Sequence, residues 1–336
     1  MPDRQPGTTL NIRPPEDYDL ARDACSYGYF LLAPNRWDVD TRTLHRPLDL
    51  PGGPAACAIE QPKPEPGLPL RARFDRRLER SEHAPARAQI TRMLRLDESA
   101  DDVRTFHRVD KRWKRTGRAR LFRSPTLFED VIKTVTSCNV AWTSTIRMNE
   151  RLCAVLGAKT PAGERTFPAP AKLARTRPGT LRGRCRVGYR DQRMIDLAKR
   201  FAQGEIDEPW LDDPATTDDE AFDFLLTLPG IGPYAAGNIM QLMGRYSRLA
   251  LDTESVRHAR AVLGMEGDSR EILARLERHY DAFGAHRFRS YWFELWADYE
   301  ARRGPSHLWD RDTTGKTFTA AQLRQYHTRA PSTTSR

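Results

Sequence analysis

Two features of this 336-residue chain have the residue types and spacing to do chemistry. The first is LPGIGP at 228–233, set inside helical sequence. Pro229 cannot continue a helix, and Gly230 and Gly232 admit backbone angles that other residues avoid. Pro233 suits the first position of a second helix, where its missing N–H is not needed. The stretch therefore reads as helix–hairpin–helix. The N–H groups of Gly230, Ile231 and Gly232, at a helix N-terminus, form a natural phosphate site. Such a contact grips a nucleic-acid backbone and does not read bases. The second feature is Asp252, eighteen residues after Tyr234. An aspartate at a helix start is first of all an N-cap, a task Thr253 or Ser255 could share. Just downstream of a hairpin that holds a DNA backbone, it can also face a nucleotide drawn out of the duplex.

The surrounding elements must hold these two in place. Gly237, with Ala235 and Ala236, allows close helix packing, and Gly244 ends that helix. DDEAFDFLLTL (218–228) reads as one amphipathic helix with Phe222, Leu225 and Leu226 on its apolar face. SPTLFEDVIKTVTSCNVAWTSTIRMNERLCAVLG (124–157) reads as two helices broken near Ser137–Asn139, with Ser124 and Pro125 as N-cap and first helical residue. The stretch 173–204 is helical, with a glycine-containing turn at 183–188. SREILARLERHYDAFG and FRSYWFELWADYEARRG are further helices.

The N-terminal part has a different texture. TLNIRP, LHRPLDL, ACAIEQ and LRARF read as short strands separated by PGGP and PKPEPG turns, and 15–28 as a helix ended by Gly28. From about residue 84 the pattern turns helical, with Ile90, Met93, Leu94 and Leu96 at 3–4 spacing. The expected division is a loose leader at 1–7, an α+β antiparallel sheet domain at 8–108, a helical domain at 109–311 and a disordered tail at 312–336. The fold class is mostly α with a small N-terminal α+β domain.

Lys+Arg number 55 against 45 Asp+Glu, a net charge of +10. KRWKRTGRARLFR (111–123) holds seven Lys/Arg and no acid, which favours a polyanionic partner through Lys111, Arg112, Lys114 and Arg115. Mean hydropathy of −0.69 and the lack of a long apolar run argue against a membrane span, and MPDRQPGTTL lacks the apolar core of a secretory signal. Cytoplasm is the default expectation, at the nucleoid in a bacterium or in the nucleus of a eukaryote. Five scattered cysteines, never in a C-x-x-C pair, support neither a disulfide framework nor a zinc site, and no metal is expected.

LPGIGPYAAGNIM followed by LALDTESVRHAR resembles the helix–hairpin–helix, Gly/Pro-rich-loop, Asp superfamily of DNA glycosylases. SPTLFEDVIKTVTSCNVAWTSTIRMNERLC and CRVGYRDQRMIDLAKRFAQG look like the helices before the hairpin in its alkyladenine and 8-oxoguanine members. FRSYWFELWADYE is similar to a C-terminal helix of a less-characterised branch. The specific likeness spans roughly 124–305, and 8–108 is compatible with the N-terminal sheet of the same members. The resemblance implies two helical subdomains flanking a cleft for DNA and base. It also implies a monomer acting on double-stranded DNA with a damaged base, without a membrane.

By that resemblance Asp252 is the catalytic aspartate, stabilising the positive charge that develops on the sugar as the base leaves. Tyr234 stands where lyase-competent members carry a lysine. A tyrosine cannot form a Schiff base, so a monofunctional enzyme is implied, cutting only the base–sugar bond in base excision repair. Asn139 matches a polar residue that fills the space left by the flipped base or touches the orphan partner, with a helix-capping Asn as its plain reading; Trp142, Tyr189 and Trp292 are base-pocket candidates, and His258 is not taken as an acid. Each aromatic has a plain core reading beside it. The sequence departs from many relatives in having no cysteine beyond Cys185, so no iron–sulfur cluster is expected, and in carrying Glu254 two residues after Asp252. Hairpins of this type can also bind a monovalent cation. The implied substrate is an alkylated purine. Mismatched thymine or uracil, an oxidised purine, or a silent DNA-binding protein remain alternatives.

Overall fold

Alternation of apolar and polar residues builds the N-terminal layer. In β5 (Leu70–Phe74) Leu70, Ala72 and Phe74 are buried, while Arg71 and Arg73 face out. β1 (Thr9–Ile12) alternates in the same way and pairs with it, Ile12 opposite Leu70. With β2 (Arg36–Asp38), β3 (Thr43–Leu48) and β4 (Ala55–Glu60) they form an antiparallel sheet in the order β1-β5-β4-β3-β2. β2 is three residues long, too short for alternation to reveal. The computed structural model describes residues 7–313. The expected loose leader and disordered tail fall outside them, apart from Gly7, Asp312 and Thr313.

The helix expected over 15–28 is shorter. α1 runs only Leu20–Ala24, because Asp19 caps it by accepting from Arg22 N at 2.7 Å. Gly28 does not end it but opens a separate 3-10 turn, where a Cβ would lie 3.1 Å from the Trp142 ring. α2 (Arg80–Met93) and α3 (Ala100–Val109) follow the sheet.

The helical block comprises α4 (Leu127–Ser137), α5 (Trp142–Leu156), α6 (Pro170–Ala174), α7 (Pro178–Thr180), α8 (Asp191–Ala202), α9 (Glu208–Asp212), α10 (Asp218–Leu226) and α11 (Pro233–Met243). α12 (Thr253–Ala261), α13 (Ser269–Tyr280) and α14 (Arg287–Arg303) complete the chain. The cap expected at Ser124 lies two residues further on. Thr126 caps α4, while Ser124 is buried and gives its N–H to Asp130 Oδ1 at 2.8 Å. α10 buries Ala221 and Leu225 and is followed by buried Leu228, at i, i+4 and i+7. Leu226 falls off that stripe and is 38 % exposed, contrary to its expected place on the apolar face.

Two large cores result. One joins the sheet and α2 to α12, α13 and α14 through Ile59, Ile90, Leu276 and Trp296. The other fills the helical block around Ile132, Leu197 and Met240. They are tied across by a buried ion cluster: Arg46 of β3 holds Glu129 of α4 at 2.8 Å and 2.5 Å, and Lys133 holds it at 2.7 Å. Burial alone would raise the Glu129 carboxyl, but these cations hold it at about 2. The two cores are therefore joined by a fixed strut.

Candidate active site

Where the two cores face each other, a cavity of about 1030 Å³ opens. One wall is a single face of α14: Phe288, Tyr291, Trp292, Leu295, Trp296 and Tyr299 recur at helical spacing and line it. Trp292 stacks between Phe288 and Trp296, with ring centroids 6.2 Å and 5.4 Å away, and donates its Nε1–H to Ser26 O at 2.9 Å. The opposite wall and rim come from the α4–α5 turn, the start of α8, the hairpin and the segment 250–254.

Asp252 lines this cavity and is half-buried. It is the N-cap of α12, in a capping box with Ser255. Its Oδ1 accepts from Glu254 N at 2.9 Å and Ser255 N at 3.1 Å. Ser255 Oγ bridges onward to Tyr291 OH at 2.7 Å. Among the described residues Oδ2 has no hydrogen-bond partner. Burial raises the carboxyl above its ordinary value and the nearby Glu254 charge raises it further, against the helix N–H groups that favour the anion. The cap and the site are thus one side chain: Oδ1 is spent on the helix, and Oδ2 is left for the cavity.

The segment carrying Asp252 is pressed against α11 at Gly237, where a Cβ would lie 2.8 Å from Leu249 O. Gly237→Val should therefore displace residues 249–252 and destabilise the protein by about 1–3 kcal/mol. A chemical denaturation curve checks this; unchanged stability would mean that the packing is slack.

Glu254 also lines the cavity, but Arg257 Nε and Tyr299 OH each hold its Oε2 at 2.8 Å. It is a paired group that adds negative potential beside Asp252. His258 lies away from the cavity, fully buried, with Nε2 2.9 Å from Glu294 Oε1.

The hairpin is a tight turn. Ile231 N donates to Leu228 O at 3.1 Å, and Gly230 sits at φ +79°, where Arg193 Cδ would be 2.5 Å from any Cβ. Gly232 caps α11 at φ −103°, and a Cβ there would meet no protein atom within 4 Å. Neither strain nor crowding within the protein requires glycine at that position. Gly230 and Gly232 line the cavity; Ile231 is turned into the helical core. Tyr234, in the first turn of α11, lines the cavity half-buried. Its hydroxyl is held well above the ordinary range by burial first and the Asp252 charge next. Asn238 ties Tyr234 to Tyr27, whose OH donates to its Oδ1 at 3.0 Å.

Asn139 stands exposed on the rim at φ +54°, in the turn between α4 and α5. It caps no helix, since Ala141 precedes α5. Buried Arg190 fixes this turn, donating to Val135 O at 3.1 Å and to Cys138 O. Tyr189 is 56 % exposed, with the guanidinium groups of Arg190 and Arg193 over its ring at 4.4 Å and 5.4 Å. Trp142 is half-buried at the first residue of α5.

The sheet, the hairpin and the cleft together match known structures. A 3-methyladenine DNA-glycosylase from Archaeoglobus fulgidus superposes with a TM-score of 0.66 at 15 % identity, covering 86 % of this chain and 99 % of that one. MBOgg1, solved in complex with a low affinity DNA ligand, gives 0.64 at 17 %, covering 88 % and 97 %. This is the helix–hairpin–helix DNA glycosylase fold. An 8-oxoguanine glycosylase/lyase from Clostridium acetobutylicum, solved with double-stranded DNA containing cytosine opposite 8-oxoG, gives 0.55 at 15 %, covering 82 % and 93 %. No family model matches the sequence, and neither does any curated protein.

Within this glycosylase fold, Asp252, Tyr234, Asn139, Trp142, Tyr189, Gly230, Gly232 and Trp292 surround one cavity. Lys111, Arg112, Lys114 and Arg115 are not part of it. Trp113 packs on Phe293, and Arg112 pairs with Asp110 and Glu294. Residues 293 and 294 point more than about 120° from the cavity-lining face of α14, at 100° per residue. Arg118, Arg120 and Arg123 are likewise paired, with Glu300, Asp17 and Asp97. Sequence reasoning missed Tyr27, Arg190, Arg193, Tyr291 and Tyr299 as site residues. An Arg beside an exposed Tyr in GYR was the one local signal available.

Proposed function

We propose that the protein is a DNA glycosylase that hydrolyses the N-glycosidic bond of a damaged base in duplex DNA and leaves an abasic site. The observation that carries this reading is that the hairpin glycines and Asp252 line one and the same cavity. The N–H groups of Gly230 and Gly232 take a phosphate, while that of Ile231 is spent on Leu228 O; the nucleotide swings into the cavity, and Oδ2 of Asp252 faces its sugar. As the base–sugar bond breaks, the carboxylate stabilises the oxocarbenium charge. Water then bonds to the anomeric carbon and gives up its proton to the carboxylate or to solvent.

The favoured substrate is a purine alkylated on a ring nitrogen. Such a base is cationic and leaves as a neutral molecule, so it needs no general acid. The described lining contains no histidine, and its acids are Asp252 and Glu254. Its wall is rich in aromatic rings, a lining that favours a cationic base. The absence of a lysine from the described lining, with tyrosine at 234, supports a monofunctional reaction.

Duplexes carrying 7-methylguanine, 3-methyladenine, hypoxanthine, uracil, mismatched thymine or 8-oxoguanine test this directly. Strand scission only after alkali, on the alkylated purines, is expected. Scission of none of them, with binding to all, would favour a silent DNA-binding protein.

The pH profile has a defined sign. Because burial raises the Asp252 carboxyl, single-turnover excision should fall on the acid side with an apparent pKa above the ordinary aspartate range. A profile flat down to the ordinary aspartate value would contradict an ionised Asp252 as the working form.

A further inference from the structure

The chain carries a second run of seven basic residues without an acid, KLARTRPGTLRGRCRVGYR at 172–190. Its fate differs from that of 111–123, where Arg112, Arg118, Arg120 and Arg123 are paired with carboxylates and the exposed, unpaired Lys111, Lys114 and Arg115 do not reach the cavity rim. Arg182 is paired with Asp191, and Arg190 is bound to backbone carbonyls. Lys172, Arg175, Arg177, Arg184 and Arg186 are exposed and form no ion pair among the described residues. The run also ends at the rim, since Tyr189 and Arg190 line the cavity.

α5 adds to the same surface. Its first residue, Trp142, lines the cavity, and the helix packs on the turn 181–185. Arg147 and Arg151, at i and i+4, lie on one side of α5, about 6 Å apart along its axis. Cys185 Sγ donates to Arg151 O at 4.0 Å, and both Arg151 and Arg184 act on that thiol. Arg147 is exposed, Arg151 half-buried, and neither is ion-paired among the described residues. A band of arginines that form no ion pair among the described residues thus leads away from the cavity mouth. Left-handed Arg186, at φ +56°, turns the chain back toward the rim.

We propose that Arg147, Arg151, Arg184 and Arg186 form a phosphate track that carries the DNA backbone beyond the hairpin, and that 111–123 does not. The proposal rests on the DNA reading above. Cations without partners in the protein can release counterions when they neutralise phosphates; those already paired with carboxylates release far fewer. The track reads no bases, so it strengthens binding to damaged and undamaged duplex alike.

The test is the salt dependence of binding to an undamaged, fluorescently labelled duplex, followed by anisotropy from about 50 to 300 mM salt. Replacing the four track arginines together by glutamine should lower the slope of log affinity against log salt by about 2–4, at about 0.9 per phosphate. Affinity at low salt should fall at least about tenfold. The same four replaced by lysine should restore most of the slope, because phosphate neutralisation needs the charge; this excludes misfolding as the cause. Lys111→Gln/Lys114→Gln/Arg115→Gln should leave the slope unchanged. Parent protein that binds no duplex would sink the DNA reading and the track together. Parent that binds, with an unchanged slope in the glutamine variant or an equal drop in the 111–115 variant, overturns the track alone.

Discussion

Asp252→Asn is expected to lower base excision by about 10³-fold or more, a loss of about 4 kcal/mol in transition-state stabilisation, while duplex binding persists. The amide keeps the shape of the carboxyl and remains a good N-cap, so the bonds from Glu254 N and Ser255 N survive. What disappears is the negative charge facing the sugar. Stability should not fall. Burial raises the Asp252 carboxyl, so the native state holds that proton more tightly than the unfolded chain. The associated stability is full below the unfolded value and is lost as pH rises through the folded one. At neutral pH the ionised group therefore costs stability, and the neutral amide removes that cost. Thermal unfolding at neutral pH should give a midpoint equal to or above that of the parent. Single-turnover excision on an alkylated duplex, run beside anisotropy, separates the two effects. Persisting excision in Asp252→Asn would reduce Asp252 to a helix cap.

The parts of this site that the sequence disclosed are those whose signal is local. Pro229, Gly230 and Pro233 announce a hairpin because each restricts or frees its own backbone, and Gly230 does sit at positive φ. Asp252 announces a helix start because capping acts within three residues. The strands β1 and β5 show their two faces in their own alternation. What escaped depends on partners far along the chain. Nothing within 111–123 tells that Arg118, Arg120 and Arg123 are neutralised by Glu300, Asp17 and Asp97. Nor does the aromatic stripe of α14 tell whether it meets a core or an empty cavity, since both ask for apolar residues at the same spacing. It does both: Trp292 packs on Tyr27 with ring centroids 4.5 Å apart and still lines the cavity. Arg190 was hidden for the same reason, its acceptors lying more than fifty residues upstream.

Tyr234→Lys should turn the protein from one that leaves strands intact into one that attaches to them. Residue 234 lies in the first turn of α11, lines the cavity and is close enough to Asp252 to feel its charge. A lysine there would have its ammonium form disfavoured by burial and favoured by Asp252. Where burial outweighs the Asp252 charge, a share of neutral amine exists near neutral pH. That amine can attack the anomeric carbon in place of water, release the base and form a Schiff base with the opened sugar. Borohydride reduces the Schiff base to a stable amine, so the variant should give a protein–DNA adduct that runs slowly on a denaturing gel. The parent should give none. Combining Tyr234→Lys with Asp252→Asn should remove the adduct, because departure of the base still needs the carboxylate. An adduct from the parent itself would show that another amine reaches the sugar and would end the monofunctional reading. A Tyr234→Lys variant that folds, excises the base and traps nothing would place residue 234 beside the base and away from the sugar carbon.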